Sequence, residues 1–323
     1  MIIIRESSEP DVEWNKRLIS TELGTIYQTI ERAKIIKNKG IEPVFLKFLD
    51  SESNIMGQLL ANIHYPFNNA GTIKSILKHL PNIKEKLFRW SYGPIIFDAK
   101  YIDEVYLSLE NFLKTKKYKV SGWQHPLQTN SLNQLNYKFK VKMWSTFLID
   151  LSQDIEKIYK NIAKHNGRKN IERSMKRGVI IEEINENNLE EFYDLRKRNV
   201  EALGAKMESF EKVLEEWKIL REIGHGGLLA KKNDKVLSGM LFSFVNGFII
   251  ERNVARSDLD HTENFYSQDL IRWKIIEWGN QKKFRYYNLA GFNPQPISKK
   301  EEAIYQYKKK WGGTRYDYYN IFN

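Results

Sequence analysis

Two halves of this 323-residue chain repeat one order of local structure, and that repeat narrows the fold more than any single motif. The second half shows it best. Apolar runs at 227–230, 236–245 and 248–254 read as a three-stranded meander. Its second turn is Asn246-Gly247, a strong hairpin signal because both residues tolerate positive φ. A helix over about 264–279 carries Leu270, Ile271, Trp273 and Ile276. A strand at 284–289, a loop through Pro294 and Pro296, a helix over about 300–311 and a strand at 315–322 complete the half.

The first half follows the same plan. Strands at 44–49 and 54–63 are joined by the polar turn Asp50-Ser51-Glu52-Ser53. A strand at 94–97 leads to a helix over about 100–115, where Ile102, Val105, Leu109, Phe112 and Leu113 keep helical spacing. An extended stretch at 118–123, a short polar helix from about Ser131 and a long strand at 138–151 follow. The reading is an α/β fold of two tandem domains, 1–145 and 146–323, with the final strand able to pack back on the first. Between the halves, 154–177 is a basic helical stretch interrupted near Asn166-Gly167, and two helices over about 187–203 and 208–222 precede the second meander.

Composition removes several classes. The absence of cysteine rules out a disulfide framework, thiolate metal sites and a cysteine nucleophile. No window approaches eighteen uncharged apolar residues, so no transmembrane helix is expected, and the apolar run after Met1 is too short for a signal peptide. These readings point to a cytoplasmic protein. The histidines (His64, His79, His125, His165, His225 and His261) are scattered, and no HExxH, Walker A, GxGxxG or GxSxG pattern occurs. Neither metal nor cofactor is therefore expected. The net charge of +12 fits a polyanion partner as well as a merely lysine-rich surface.

The densest chemistry lies near the C-terminus, in Tyr305-Gln306-Tyr307-Lys308-Lys309-Lys310-Trp311-Gly312-Gly313. Two rings and a lysine fall within about one helical turn, and the helix then stops on two glycines. Lys309 and Lys310 read as surface charge beside Lys308. Five further segments precede this block in order. They are Gly24-Thr25-Ile26-Tyr27-Gln28-Thr29, Tyr92-Gly93-Pro94, Thr146-Phe147-Leu148-Ile149-Asp150-Leu151-Ser152, the basic run from Arg168-Lys169-Asn170-Ile171 to Lys176-Arg177-Gly178-Val179, and Asn288-Leu289-Ala290-Gly291.

Together these segments resemble the FemAB family of aminoacyl-tRNA-dependent peptidyltransferases, and the layout resembles the acetyltransferase-like (GNAT) fold in tandem. The resemblance implies transfer of an amino acid from its tRNA ester to an amine on a cell-wall peptide precursor. It implies that the precursor lies against the first domain, that chemistry occurs at the cleft with the second, and that any contact with the inner membrane face is peripheral. Carried over residue by residue, it makes Lys308 the catalytic lysine and Tyr307 its adjacent aromatic. Arg168, Lys169, Arg173, Tyr92 and Asn288 become substrate or tRNA contacts. Three positions depart from the family pattern: Tyr92 replaces the arginine of Arg-Gly-Pro, Asn288 replaces an aspartate, and Ala202 stands where an arginine precedes a glycine.

Two rival readings remain at this stage, an N-acyltransferase using CoA or another acyl donor, and a non-catalytic polyanion-binding module. Acyl-CoA-dependent acetyltransferases usually hold the pyrophosphate on a glycine-rich turn at a helix N-terminus after the fourth strand. Here that stretch is Arg256-Ser257-Asp258-Leu259-Asp260-His261-Thr262-Glu263-Asn264, with no glycine and three acids, which argues against CoA in the second domain.

Overall fold

In the computed structural model, residues 2–65, 86–128 and 139–323 are described; the short helix expected from about Ser131 and His79 lie outside them. The chain divides into two units. One is Met1–Ser145 together with Asp317–Asn323, and the other is Thr146–Tyr316.

The first unit runs β1 (Ile3–Ser7), α1 (Trp14–Ile19), a 3-10 turn (Ile26–Gln28), α2 (Ile30–Asn38), β2 (Glu42–Leu49) and β3 (Ile55–His64). Then come β4 (Leu87–Trp90), the short β5 (Ile95–Ile96), α3 (Ile102–Thr115) and β6 (Lys119–Trp123). The strand order is β1-β2-β3-β4-β6, with β5 beside β3. Neighbours are antiparallel except β4 and β6, and α3 lies between these two in sequence, as a parallel pair requires. Both faces of β2 and β3 are covered. Val44, Leu46, Leu59 and Ala61 join α3's Val105, Tyr106 and Leu109 in one cluster, while Phe45 and Leu60 join Trp14 and Ala33 in another. The unit's last strand comes from the far end of the chain. Asn320, Ile321 and Phe322 pair antiparallel with Trp123, Gly122 and Ser121, and Tyr319 and Ile321 enter the first cluster.

In the second unit, β7 (Lys140–Asp150) enters from the first and its Leu148–Asp150 segment pairs with β12. Next come α4 (Ile155–Asn161), a π-helical turn (Lys164–Arg168), α5 (Lys169–Lys176), β8 (Ile180–Glu183), α6 (Leu189–Glu201) and α7 (Phe210–Arg221). The meander is β9 (His225–Lys232), β10 (Lys235–Val245) and β11 (Phe248–Arg256). It is followed by α8 (Asp258–Thr262), α9 (Ser267–Gln281), β12 (Tyr286–Asn288), α10 (Lys299–Lys309) and β13 (Thr314–Phe322). The order is β7-β12-β11-β10-β9-β8, and the parallel pair is β11 with β12. The plan of the first unit is thus repeated: antiparallel strands, a helix, then a strand parallel to the last of them.

Two expected boundaries move. The basic stretch is interrupted at Ile162-Ala163, before the π turn, while Asn166-Gly167 lies inside that turn. The helix expected from 264 begins at Ser267, because Asn264 and Tyr266 are left-handed at φ 53° and 57°.

Packing in the second unit uses both sheet faces. Phe192 and Leu195 of α6 and Trp217 of α7 meet Leu229, Leu241 and Ala255. On the other side Ile171 of α5 and Leu270, Ile271 and Ile275 of α9 meet Met240, Ile249 and Tyr287, with Trp311 closing the cluster. After α10 the chain must turn at once to bury Trp311. Gly312 does this at φ 72°, where a Cβ would sit 2.4 Å from the carbonyl oxygen of Asn161. Gly312→Ala combines left-handed strain with a backbone clash, so a loss of about 2–3 kcal/mol is expected in a urea unfolding titration.

Candidate active site

Lys308 lies in the last turn of α10, and its placement is set by what starts and stops that helix. Ser298 caps the N-terminus, its hydroxyl accepting from the amide of Glu301 at 3.2 Å, while Glu301 Oε2 accepts from the amide of Ile297 at 2.7 Å. Tyr305 packs on Phe147 and Phe292, fixing the helix's rotation. Lys308 is then half-buried, and its Nζ donates to the carbonyl oxygens of Ala290 at 2.9 Å and Gly291 at 2.8 Å.

Those carbonyls are aimed by a left-handed turn at the end of β12, where Ala290 has φ 61°. The side-chain oxygen of Asn288 holds the turn. It accepts from the hydroxyl of Thr146 at 2.6 Å and from the amide of Ala290 at 2.8 Å. Asn288 is 0% exposed. Its oxygen shapes the lysine's backbone cradle. That task needs an acceptor oxygen, which asparagine supplies as well as aspartate.

An ammonium has three N–H donors, and among the described residues Lys308 uses two of them. Burial pushes its pKa down to about 8, against a smaller upward pull from Glu251. At neutral pH the group is thus mostly charged, but only by about one pH unit.

Below it lies a buried ionic network absent from the sequence reading. Arg272 of α9 donates from Nε and Nη2 to the two carboxylate oxygens of Glu251 at 2.7 and 3.0 Å, and the phenol of Tyr287 donates to Glu251 at 2.7 Å. Arg272 also bonds the hydroxyl of Tyr307. Burial pulls the arginine's pKa down, but Glu251, Tyr307 and Tyr287 together hold the group well above its ordinary value. Tyr307 passes its own proton bond to Asp269 at 2.8 Å. Burial, with Asp269 behind it, raises the Tyr307 pKa far enough to keep the phenol neutral.

Lys310 corrects the reading of surface charge. It is 8% exposed rather than on the surface, and its ammonium donates to Asp269 at 2.7 Å while lying 4.1 Å from the centre of the Tyr307 ring. Lys309 is exposed, as expected. Asp269 accepts a third bond at 2.9 Å from Asn170 of α5, and the backbone oxygen of Lys310 accepts from the amide of Ala163 at 2.8 Å. The middle of the basic segment is therefore joined to the end of α10, directly by backbone and through Asp269 by side chains. One signal in the sequence pointed to this network. Asp269 and Arg272 sit among Leu270, Ile271, Trp273, Ile275 and Ile276, and a helix buried on nearly every side must pair its charges internally.

The other candidates separate. Arg173 is exposed, with its guanidinium 5.9 Å from the Tyr266 ring. Arg168 is half-buried, its Nε spent on the carbonyl of Ile162 at 3.1 Å, and Lys169 is half-buried beside it. Tyr92 belongs to the first unit, where its ring is 8% exposed among Tyr27, His125 and Tyr318. Among the described residues no group of three or more His, Cys, Asp or Glu side chains could hold a metal ion, and no helix is long and apolar enough to cross a membrane.

The turn that could hold a pyrophosphate is filled by the chain itself. Asp260 is 0% exposed, and its Oδ1 accepts from the amide of Ser267, the first residue of α9, at 2.9 Å. Its other oxygen is paired with Arg256. A carboxylate thus occupies the positive end of the helix after β11.

No family model and no curated protein matches the chain. Solved structures do. FemX aligns over 98% of this chain and 96% of its own length, at 12% identity and a TM-score of 0.68. L-PGS from Bacillus licheniformis aligns over 98% and 93%, at 12% identity and TM-score 0.59. A tandem GNAT protein from the clavulanic acid biosynthesis pathway covers 100% and 98%, at 7% identity and TM-score 0.55. The chain has a tandem GNAT-like α/β fold of the kind found in FemX.

Asp269→Ala would strand the Lys310 ammonium in a buried site, with an expected loss of about 3–5 kcal/mol in stability. The double change Asp269→Leu with Lys310→Met should recover more than half of that loss in the same chemical-denaturation measurement.

Proposed function

We propose that this chain is an aminoacyltransferase that moves an amino acid from aminoacyl-tRNA to an amine of a peptide acceptor of the cell-wall precursor type. The observation that carries the reading is Lys308: a desolvated ammonium held by two backbone carbonyls with one N–H donor left over. Attack of a neutral amine on the ester carbonyl forms the C–N bond and builds an oxyanion. Collapse breaks the C–O bond, and the proton lost by the amine ends on the departing ribose hydroxyl. A fixed cation beside that oxyanion stabilises the transition state without having to reorganise. Tyr307 positions the helix end through Asp269 and Arg272.

The donor assignment draws on two further features. The exposed basic residues of the π turn and α5, Lys164 and Arg173 among them, and the net charge of +12 suit a polyanion such as tRNA. The buried Asp260 at the start of α9 disfavours the pyrophosphate of CoA. In this reading the second unit carries the chemistry and the first, which contains Tyr92, binds the acceptor. The corresponding place of action is the cytoplasmic side of the cell, where charged tRNA is found, with any membrane contact peripheral.

The test is transfer from radiolabelled aminoacyl-tRNA to a cell-wall precursor peptide. Lys308→Ala should lower turnover about 10²–10³-fold with unchanged thermal stability, because it removes one transition-state donor. Wild-type turnover, measured with amine concentration corrected for its protonation, should fall as pH rises through about 8, where Lys308 loses its proton. Full activity of Lys308→Ala, or no salt-sensitive binding of charged tRNA, would sink the proposal. Saturable acyl-CoA binding is expected to be absent from the wild type, and its presence in a calorimetric titration would favour a CoA-type donor instead.

A further inference from the structure

Lys308 and the two carbonyls that hold it belong to separate stretches of chain, α10 and the turn after β12. A cation can be aimed by that turn only if helix and turn are kept in register. Two adjacent residues of β7 do this. The carbonyl of Phe147 accepts from the amide of Leu289 at 3.2 Å, and its ring stacks on Phe292 with centroids 5.1 Å apart. Ala290 and Gly291 are thereby gripped on both flanks. The Phe147 ring also meets Tyr305 at 6.1 Å, and Tyr305 lies three residues before Lys308, on the same side of α10.

Thr146 acts on the middle of the turn. It is fully buried, and its hydroxyl oxygen lies 2.6 Å from Asn288 Oδ1 and 2.9 Å from the carbonyl oxygen of Ala290. A hydroxyl has one proton to give. The nearer oxygen, Asn288 Oδ1, takes it, and the Ala290 carbonyl is left to the ammonium of Lys308. Asn288 Oδ1 in turn accepts from the amide of Ala290, so one chain of bonds runs from Thr146 to the residue whose carbonyl holds the cation.

Valine would fill the same space and suit a strand as well as threonine does. What the hydroxyl adds at this position is the hold on the turn. The charged groups that act on Lys308 from neighbouring elements are Glu251 of β11, which favours the ammonium, and Arg272 of α9, which opposes it. They are bonded to each other, and a change at Thr146 leaves that pair in place.

We infer that Thr146 is a positioning residue for Lys308: its hydroxyl holds the Asn288–Ala290 turn, and so fixes the carbonyls that orient the ammonium and its remaining N–H. The catalytic consequence rests on the reading of Lys308 as the cation beside the oxyanion, whereas the positioning itself does not.

The test titrates Lys308 directly, by NMR of protein carrying 13C at lysine Cε, with the signal assigned by Lys308→Arg. Thr146→Val should move the Lys308 midpoint down from about 8 by about half a pH unit or more, because loosened carbonyls favour the charged form less. Thr146→Ser keeps the hydroxyl and should titrate as the wild type does. In the transfer assay Thr146→Val should lose about tenfold in kcat at pH 7 with KM for charged tRNA little changed, and its activity should fall off at correspondingly lower pH. If Thr146→Val does not fold, Thr146→Ala is read in the same way. An unmoved Lys308 titration, or equal shifts with valine and serine, would overturn the inference even in an active transferase. A shifted titration in a protein that transfers nothing would sink the aminoacyltransferase reading and leave the positioning role standing.

Discussion

A carboxylate removed from water must be met by donors or it unfolds what surrounds it, and Asp269 is met by three. Its partners come from different stretches of chain: Asn170 on α5, and Tyr307 and Lys310 at the end of α10. None of these helices can rotate or slide without leaving a buried charge unpaired. The position of Lys308 is the by-product of that constraint, since it lies between Tyr307 and Lys310 on the same turn. The candidate lysine is located by its neighbours' need for electrostatic satisfaction.

The repeated plan could be read from residue patterns because each half contains long strands and a helix with one clear apolar face. Asn246-Gly247 and the spacing of Ile102, Val105 and Leu109 are local signals, and they correspond to local structure. The parts that escaped are those stabilised by distant residues. β4 is four residues long and its identity as a strand depends on β3 and β6 beside it, while β1 is an edge strand whose residues are largely exposed. At the site, Lys308 stood out because a lysine between two rings before paired glycines is unusual. Lys310 was misread since its partner lies 41 residues away, and charge alone does not tell a surface lysine from a buried one. Asn288 stood out by its place at a strand end, and the structure shows its oxygen holding a turn of its own chain.

The same helix terminus that serves other proteins as an anion site is used internally here. Asp260 spends its carboxylate on the first amide of α9 and on Arg256. The protein gains a rigid start to a helix whose first two turns must hold Asp269 and Arg272 in register. An external phosphate there would have to displace a buried, doubly satisfied group.

The strand formed by Asn320, Ile321 and Phe322 belongs to the unit that starts at the other end of the chain. Ribosomal synthesis is directional, and domains ordinarily fold as they emerge. Here the first unit lacks one strand of its sheet, and the rings of Tyr318 and Tyr319, until everything between has been translated. The second unit carries no such debt to later sequence, since its residues are contiguous from Thr146 to Tyr316. The half made first is thus the half finished last, and it must wait with an open sheet edge while the rest of the polypeptide is made.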